Sequence, residues 1–406
     1  MSKERLVIKN FGPIKSVDLE LGMMTILIGD QATGKSTIAK VLTVCRYFSY
    51  FNNCTYLGIG SFNIIENFFS GLKDFGIYEF INYDSEINYE NLDYALKLSS
   101  IFNLKGKINL KNELHFKDKF SINVKAKSEL YINLIEKLEI SKPWNNKSGT
   151  ELSWLSWYPS DKFFQNEVGK VLNYPLLIPI ERIVQSISFN KDLLLSEATQ
   201  DQLRKLRRIA MNYSNPTEIP VLNLNFYSSN GLDFVKRKEE ESFYKLAESA
   251  SGWQSTTPIV LGVKYYNEIK PKVKTFIIEE AENNLFPKTQ KRLVEFFVEN
   301  INNYGHQFIL PTHSPYILSA LNNCLYAYNL SKIENGKYNK EIEKIIPKEN
   351  WLNIDDLSVY YLENGEAKNI LNREEGLIDI DDLDSVSRDI NKVFDELLTI
   401  EMQYED

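Results

Sequence analysis

Short apolar runs alternate along the chain with stretches whose apolar residues recur every three or four positions. Residues 5–11 and 14–21 alternate apolar and polar side chains on either side of an Asn-Phe-Gly-Pro turn, which predicts a β-hairpin. Met24-Thr-Ile-Leu-Ile28 is apolar or β-branched at each position, as expected of a strand buried on both faces. Residues 36–45 then place apolar side chains at helical spacing. The buried-strand pattern returns at residues 176–180, 275–278 and 307–310, and a helix is predicted over 289–300. Short buried strands separated by helices indicate an α/β fold with a central, mostly parallel sheet, to which the first hairpin adds an antiparallel N-terminal β-subdomain.

Two stretches break this rhythm and read as α+β insertions. Residues 50–170 are rich in Asn, Tyr, Phe and Lys without long periodicity, and are expected to lie outside the central sheet. Within them, 108–126 alternates as a short antiparallel pair and 130–138 reads as helix. In the second insertion, 192–212 has helical spacing with a basic cluster at Arg204, Lys205, Arg207 and Arg208. Pro216 and Pro220 bracket a turn, 221–227 reads as a strand, and 236–250 as a charged helix. Near the end, 325–330, 358–362 and 367–370 read as β-segments, the last two joined by a Glu-Asn-Gly-Glu hairpin turn. An acidic patch at 379–384 precedes a predicted helix over 386–400.

These readings divide the chain into an N-terminal lobe (1–50), an insertion (51–174), a core strand (175–190) and a second, mainly helical insertion (191–247). A C-terminal lobe (248–330) and an extension for assembly or partner contact (331–406) follow.

Composition narrows the class. The chain has 406 residues, 43% hydrophobic and 25% charged, as in ordinary globular proteins. A net charge of −8 argues against a surface that coats nucleic acid, although a local basic groove stays open. The basic cluster at 204–208 reads as a solvated helix face, with partner contact as the alternative. Cys45, Cys54 and Cys324 are too scattered for a zinc site and too few for a disulfide framework. No apolar run is long enough to cross a bilayer and no signal peptide is evident, so a reduced cytoplasmic location without membrane contact is expected.

The chemistry begins at Gly29-Asp30-Gln31-Ala32-Thr33-Gly34-Lys35-Ser36-Thr37, a phosphate loop lying between a buried strand and a helix. Its backbone N–H groups and helix N-terminus suit an anion. Lys35 can reach the β- and γ-phosphates of ATP, Ser36 can ligate Mg2+, and Thr37 can hydrogen-bond the α-phosphate. At the next strand end, Glu279 can hold the metal and Glu280 can accept a proton from an attacking water. His313, in Thr312-His-Ser314, can donate to the γ-phosphate; His115 and His306 read as structural. Ser251-Gly252 opens another helix in Ser-Gly-Trp-Gln254-Ser255, a second anion-binding start that suggests a phosphate held by another subunit.

Phosphate loop, Ser-Gly-x-Gln, acid pair and switch histidine, in this order, resemble the ABC-type ATPase heads of the SMC, RecF and OLD group. The similarity is closer to the OLD-like AAA15 ATPases, through residues 10–14, 178–182, 251–255, 278–287 and 312–315. Glu279 stands where many relatives have Asp, and Ala281 replaces a usual proline. Gln185 is the candidate for the glutamine that such ATPases place on Mg2+.

The resemblance implies a homodimeric sandwich, with a higher ring left open. Each ATP would lie between one loop and the Ser251, Gly252 and Gln254 stretch of the second copy. It also resembles the ATPase subunits of two-gene phage-defence systems of the PARIS and Septu types. That implies a sensor and scaffold holding a separate, Toprim-type nuclease and responding to a phage-encoded trigger. The residues after Pro315 are too few for a Toprim domain, and Asp379-Ile-Asp-Asp382 lacks a preceding buried strand, so the nuclease is expected on another chain. A RecF-like DNA clamp is the alternative, and a transporter ATPase is less favoured.

Overall fold

The computed structural model describes residues 4–56, 64–91, 94–100, 120–126, 175–182 and 195–379. The expected hairpin is β1 (Glu4–Phe11) and β2 (Ile14–Leu21), and it feeds β3 (Met24–Gly29) and α1 (Lys35–Tyr56). After α2 (Ile64–Asp74) come β4 (Ile81–Glu90), β5 (Tyr94–Ser100), β6 (Phe120–Ala126) and β7 (Leu176–Ile178). Next are α3 (Glu197–Ala210), β8 (Thr217–Ile219), β9 (Leu224–Ser229), β10 (Leu232–Arg237), β11 (Tyr244–Lys245) and α4 (Ser251–Lys264). The rest of the core is β12 (Thr275–Ile278), α5 (Pro287–Tyr304), β13 (Gln307–Thr312), α6 (Pro315–Lys332), β14 (Leu357–Glu363) and β15 (Glu366–Asn369).

Among the described residues one mixed sheet of eleven strands runs β6-β5-β4-β1-β2-β15-β14-β3-β13-β12-β7. The five strands from β14 to β7 are mutually parallel, while β2, β1, β4, β5 and β6 pair antiparallel. Alternation along the strands sends side chains to two cores. Met24, Ile26, Ile28, Phe276 and Ile278 face a cluster filled by α3 to α6, including Leu206, Ile259, Phe297 and Leu321. Leu27, Ile277 and Ile309 face the other side, against Ile38, Val41 and Leu42 of α1 and Phe69 and Leu72 of α2. Helices cover both faces of the parallel half, as its two-sided apolar strands require.

Five expectations are corrected. The first insertion does join the central sheet: β4 pairs with β1, and Ile87, Tyr89, Leu96 and Leu98 are buried in the α1 and α2 core. Pairing there covers what would be an open edge of β1. Residues 236–250 form no helix but β10, a turn, β11 and a short 3-10 turn, in a sheet of order β11-β10-β9-β8. Tyr227 stacks on Phe234 at 4.9 Å and meets Phe243 edge-on at 4.7 Å, so cross-strand aromatic packing overrides the helix-favouring charges. The second insertion is therefore α3 plus a four-stranded sheet rather than mainly helical.

Residues 325–330 belong to α6, whose buried Ile317, Leu318, Leu321, Cys324 and Leu325 keep a helical period. Residues beyond 331 are also no mere extension, since β14 lies in the middle of the sheet with Leu357, Val359 and Leu362 fully buried. The expected Asn-Gly hairpin does join β14 to β15. The predicted segments 130–138 and 386–400, together with Gln185, lie outside the described residues. Among the described residues no helix is long and apolar enough to cross a membrane. Cys45 and Cys324 are buried.

Candidate functional site

Parallel pairing of β3, β13, β12 and β7 brings their C-terminal ends to one edge of the sheet. That edge therefore collects Gly29 to Thr37, His313, Glu279 with Glu280, and the turn from Pro179 to Arg182. Strand ends of an open parallel sheet are where such folds bind ligands. Gly29 is required by its surroundings: φ is +153°, and a Cβ there would lie 2.2 Å from the Leu362 carbonyl oxygen of β14. The loop also holds Ala32 at φ 62° and Gly34 at φ 99°, while the Thr33 hydroxyl donates to the Asp30 carbonyl at 2.8 Å.

Lys35 is buried and folds back on its own loop. Its Nζ donates to the carbonyls of Gly29 (2.8 Å) and Asp30 (2.6 Å) and to Thr33 Oγ1 (3.3 Å). Burial lowers its pKa to about 8, against the pull of Glu280, Asp30 and Glu282. These bonds can be exchanged for phosphate oxygens without opening the fold, since they go only to the loop.

Ser36 and Glu279 are neighbours, and the Ser36 hydroxyl draws the Glu279 pKa down. Glu279 is 4% exposed, and its Oε1 has no hydrogen-bond partner among the described residues. Burial raises its pKa to about 7; Lys40 and the Ser36 hydroxyl act in the opposite direction, and Glu181 adds to the rise. A buried carboxylate oxygen left unpaired beside a hydroxyl fits a cation, which would supply the missing partner. Among the described residues no three His, Cys, Asp or Glu side chains gather as a self-sufficient metal site. One hydroxyl and one carboxylate suit Mg2+ that shares phosphate oxygens and water.

Glu280 follows in a left-handed conformation (φ 44°), its N–H donating to the Pro311 carbonyl at 2.9 Å. Its Oε1 lies 3.6 Å from His313 Nε2, and both side chains are about one-third exposed. The acid and the imidazole thus face one opening at the sheet edge. Glu282 holds this histidine: its Oε1 accepts the Thr312 hydroxyl (2.6 Å) and the His313 backbone N–H (2.8 Å). Sequence reasoning passed over Glu282, although a third acid in Glu279-Glu280-Ala281-Glu282 was a visible signal. It also gave no role to Arg182, which is fully buried and reaches the carbonyls of Glu279 and Glu280.

Helix α4 starts at Ser251, which is exposed. Gly252 is needed for close approach, because a Cβ there would stand 2.6 Å from the Asn284 carbonyl oxygen. Gln254 turns back, its Nε2 donating to the carbonyls of Ser249 (2.8 Å) and Ala247 (3.3 Å), so its amide braces the helix start. The Arg237 guanidinium lies 5.4 Å from the Trp253 ring centre. His306 is buried, with Nδ1 accepting the Lys274 N–H and Nε2 against Asn267 Oδ1, as a structural histidine should be.

The family described as AAA ATPase domain matches residues 1–318. Among solved structures, the SMC head domain from Thermotoga maritima is similar at 11% identity, over 92% of this chain and 99% of that one, with a TM-score of 0.42. A Smc head bound to the C-winged helix domain of ScpA aligns at 11% identity over 92% and 99%, with a TM-score of 0.44. A Smc head with an extended coiled coil, bound to the C-terminal domain of ScpA derived from Pyrococcus furiosus, aligns at 11% over 95% and 99%, with a TM-score of 0.41. No curated protein matches the chain.

Proposed function

The chain belongs to the AAA ATPase domain family, and from that premise we propose that it hydrolyses ATP in a sandwich assembled from two copies of itself. The observation that carries the hydrolytic reading is the buried Glu279 beside Ser36, its Oε1 without a hydrogen-bond partner among the described residues. Residues 29–37 cradle the phosphates, Lys35 transfers its three donors from loop oxygens to the β- and γ-phosphates, and Thr37 serves the α-phosphate. Ser36 and Glu279 would hold Mg2+, which when bound would neutralise phosphate charge. Glu280 accepts the proton of the attacking water and His313 donates to the γ-phosphate.

Assembly rests on the exposed Ser251. Its helix start offers N–H groups and a hydroxyl to an anion, while the chain's own phosphate loop already has α1. ATP between two copies acts as glue and its hydrolysis as release. Mixing Lys35→Ala with Ser251→Arg protein tests this. Each variant alone is inactive, and the mixture is expected to regain part of the ATPase rate through composite sites. A mixture that associates yet stays inactive overturns the sandwich.

The resemblance to two-gene defence ATPases supports a role as sensor and scaffold for a separate nuclease, released when a phage-encoded trigger binds. Co-purification with the product of the adjacent gene, lost on ATP hydrolysis, is the expected result. ATP-strengthened and salt-dependent DNA binding would replace the scaffold with a DNA clamp.

A further inference from the structure

The two halves of the proposed machinery are joined inside one chain by a buried guanidinium. Arg182 is 0% exposed and leaves β7 through a short turn in which its own N–H bonds the Pro179 carbonyl. Its Nε donates to the Ser255 carbonyl in the first turns of α4 at 2.8 Å. Nη1 donates to the carbonyls of Glu279 (2.7 Å) and Pro179 (3.2 Å), and Nη2 to the Glu280 carbonyl (2.6 Å). A single planar group thus binds β7, the acid turn and α4 through backbone oxygens alone, so no side-chain rearrangement can loosen it.

Two further contacts make the acid turn and the start of α4 one body. The Ser255 hydroxyl donates to the Asn283 carbonyl at 2.9 Å, and Gly252 touches the Asn284 carbonyl. Glu280 meanwhile sits at φ 44°, a left-handed conformation that a residue with a Cβ holds only when its surroundings insist. Its N–H is fixed by Pro311 and its C=O by Arg182. Removing either bond frees the peptide to rotate and carries the carboxylate away from His313.

We propose that Arg182 is a positioning residue that makes the placement of the Glu279–Glu280 pair depend on where helix α4 sits. Ser251, which reaches the second copy's nucleotide, and Glu280, which acts on the chain's own, then move together. Binding at one site of the sandwich presets the acid at the other. The link between sites rests on the assembly reading, whereas the positioning of Glu280 stands without it.

Arg182→Lys keeps a cation but offers one nitrogen where three are used. In the full chain it is expected to bind ATP as tightly as the unaltered protein by calorimetry. Its kcat should fall by about 10²-fold, as for a misplaced catalytic group, and its Hill coefficient for ATP should drop from about 2 toward 1. Ser255→Ala removes the hydroxyl that ties α4 to the Asn283 carbonyl without touching Arg182 or any carboxylate, and should give the same split if Arg182→Lys fails to fold. Unchanged kcat in either folded variant, or ATP affinity falling in proportion to kcat, overturns the proposal. Sedimentation of Glu280→Gln with saturating ATP checks the assembly separately. A monomer there removes the sandwich, and the positioning role is then decided by kcat alone.

Discussion

Replacing Lys35 by methionine should abolish ATP binding and at the same time make the nucleotide-free protein more stable. Lys35 is 5% exposed, and its ammonium meets only neutral oxygens of its own loop. Burial brings its pKa down to about 8 from 10.5. The folded value therefore lies below the unfolded one, so below pH 8 folding forces a charged group into a place it tolerates poorly. The interval between the two values corresponds to ~3 kcal/mol at pH 7. Losing three hydrogen bonds offsets roughly half of this, leaving a net gain of ~1–2 kcal/mol in the variant. In a chain of this size that is a rise in Tm of roughly 1–2 °C. Scanning calorimetry without nucleotide measures it, and titration with ATP reads the lost affinity. Between pH 8 and 10.5 the folded wild-type protein sheds this proton, so its disadvantage should shrink as pH rises. A variant less stable than wild type at pH 7, or a gap that stays constant to pH 9.5, would refute the reasoning.

Glu282→Ala strips the acceptor from the Thr312 hydroxyl and the His313 N–H; phosphate release should slow about 10-fold at unchanged ATP affinity, and a normal rate would end its role as the support of His313. Gly29→Ala drives a methyl into the Leu362 carbonyl at a φ unsuited to it, which should lower stability in urea by ~1–3 kcal/mol and weaken ATP binding; wild-type behaviour in both would count against the tight loop. Burial lifts Glu279 to about 7, so Mg2+-ATP binding at pH 6.5 should release a proton from it. The binding enthalpy should then vary with the ionisation heat of the buffer, and a buffer-independent enthalpy would show that Glu279 is already ionised.

The hairpin, the buried strands and the phosphate loop were legible because each is written in consecutive residues. So were the acid pair and His313, which follow strands whose parallel pairing brings them to one edge. What escaped depends on partners far along the chain. Lys236 to Lys238 and the glutamates that follow look like a helix, and only Tyr227, across the sheet from Phe234, makes that stretch a strand. Residues 325–330 alternate like a strand in isolation, yet Ala327 and Leu325 continue the buried stripe of Leu318 and Leu321. β14 was read as a β-segment but not as a neighbour of β3, because nothing local to residues 357–363 names its partner. Arg182 was visible as a charge at a strand end; its role lies in four carbonyl oxygens, and backbone acceptors leave no mark in a motif.

The position of β14 also bears on biosynthesis. β3 carries the phosphate loop, and its two neighbours in the sheet come from residues 307–312 and 357–363. The Leu362 carbonyl that closes on Gly29 is therefore made more than three hundred residues after the loop it supports. Contacts of such sequence separation form slowly, because a long loop must close before they contribute. During translation, the N-terminal strands and α1 can collapse early while the sheet stays open on both sides of β3. A nascent chain thus cannot complete the surroundings of Gly29 until residue 363 has left the ribosome.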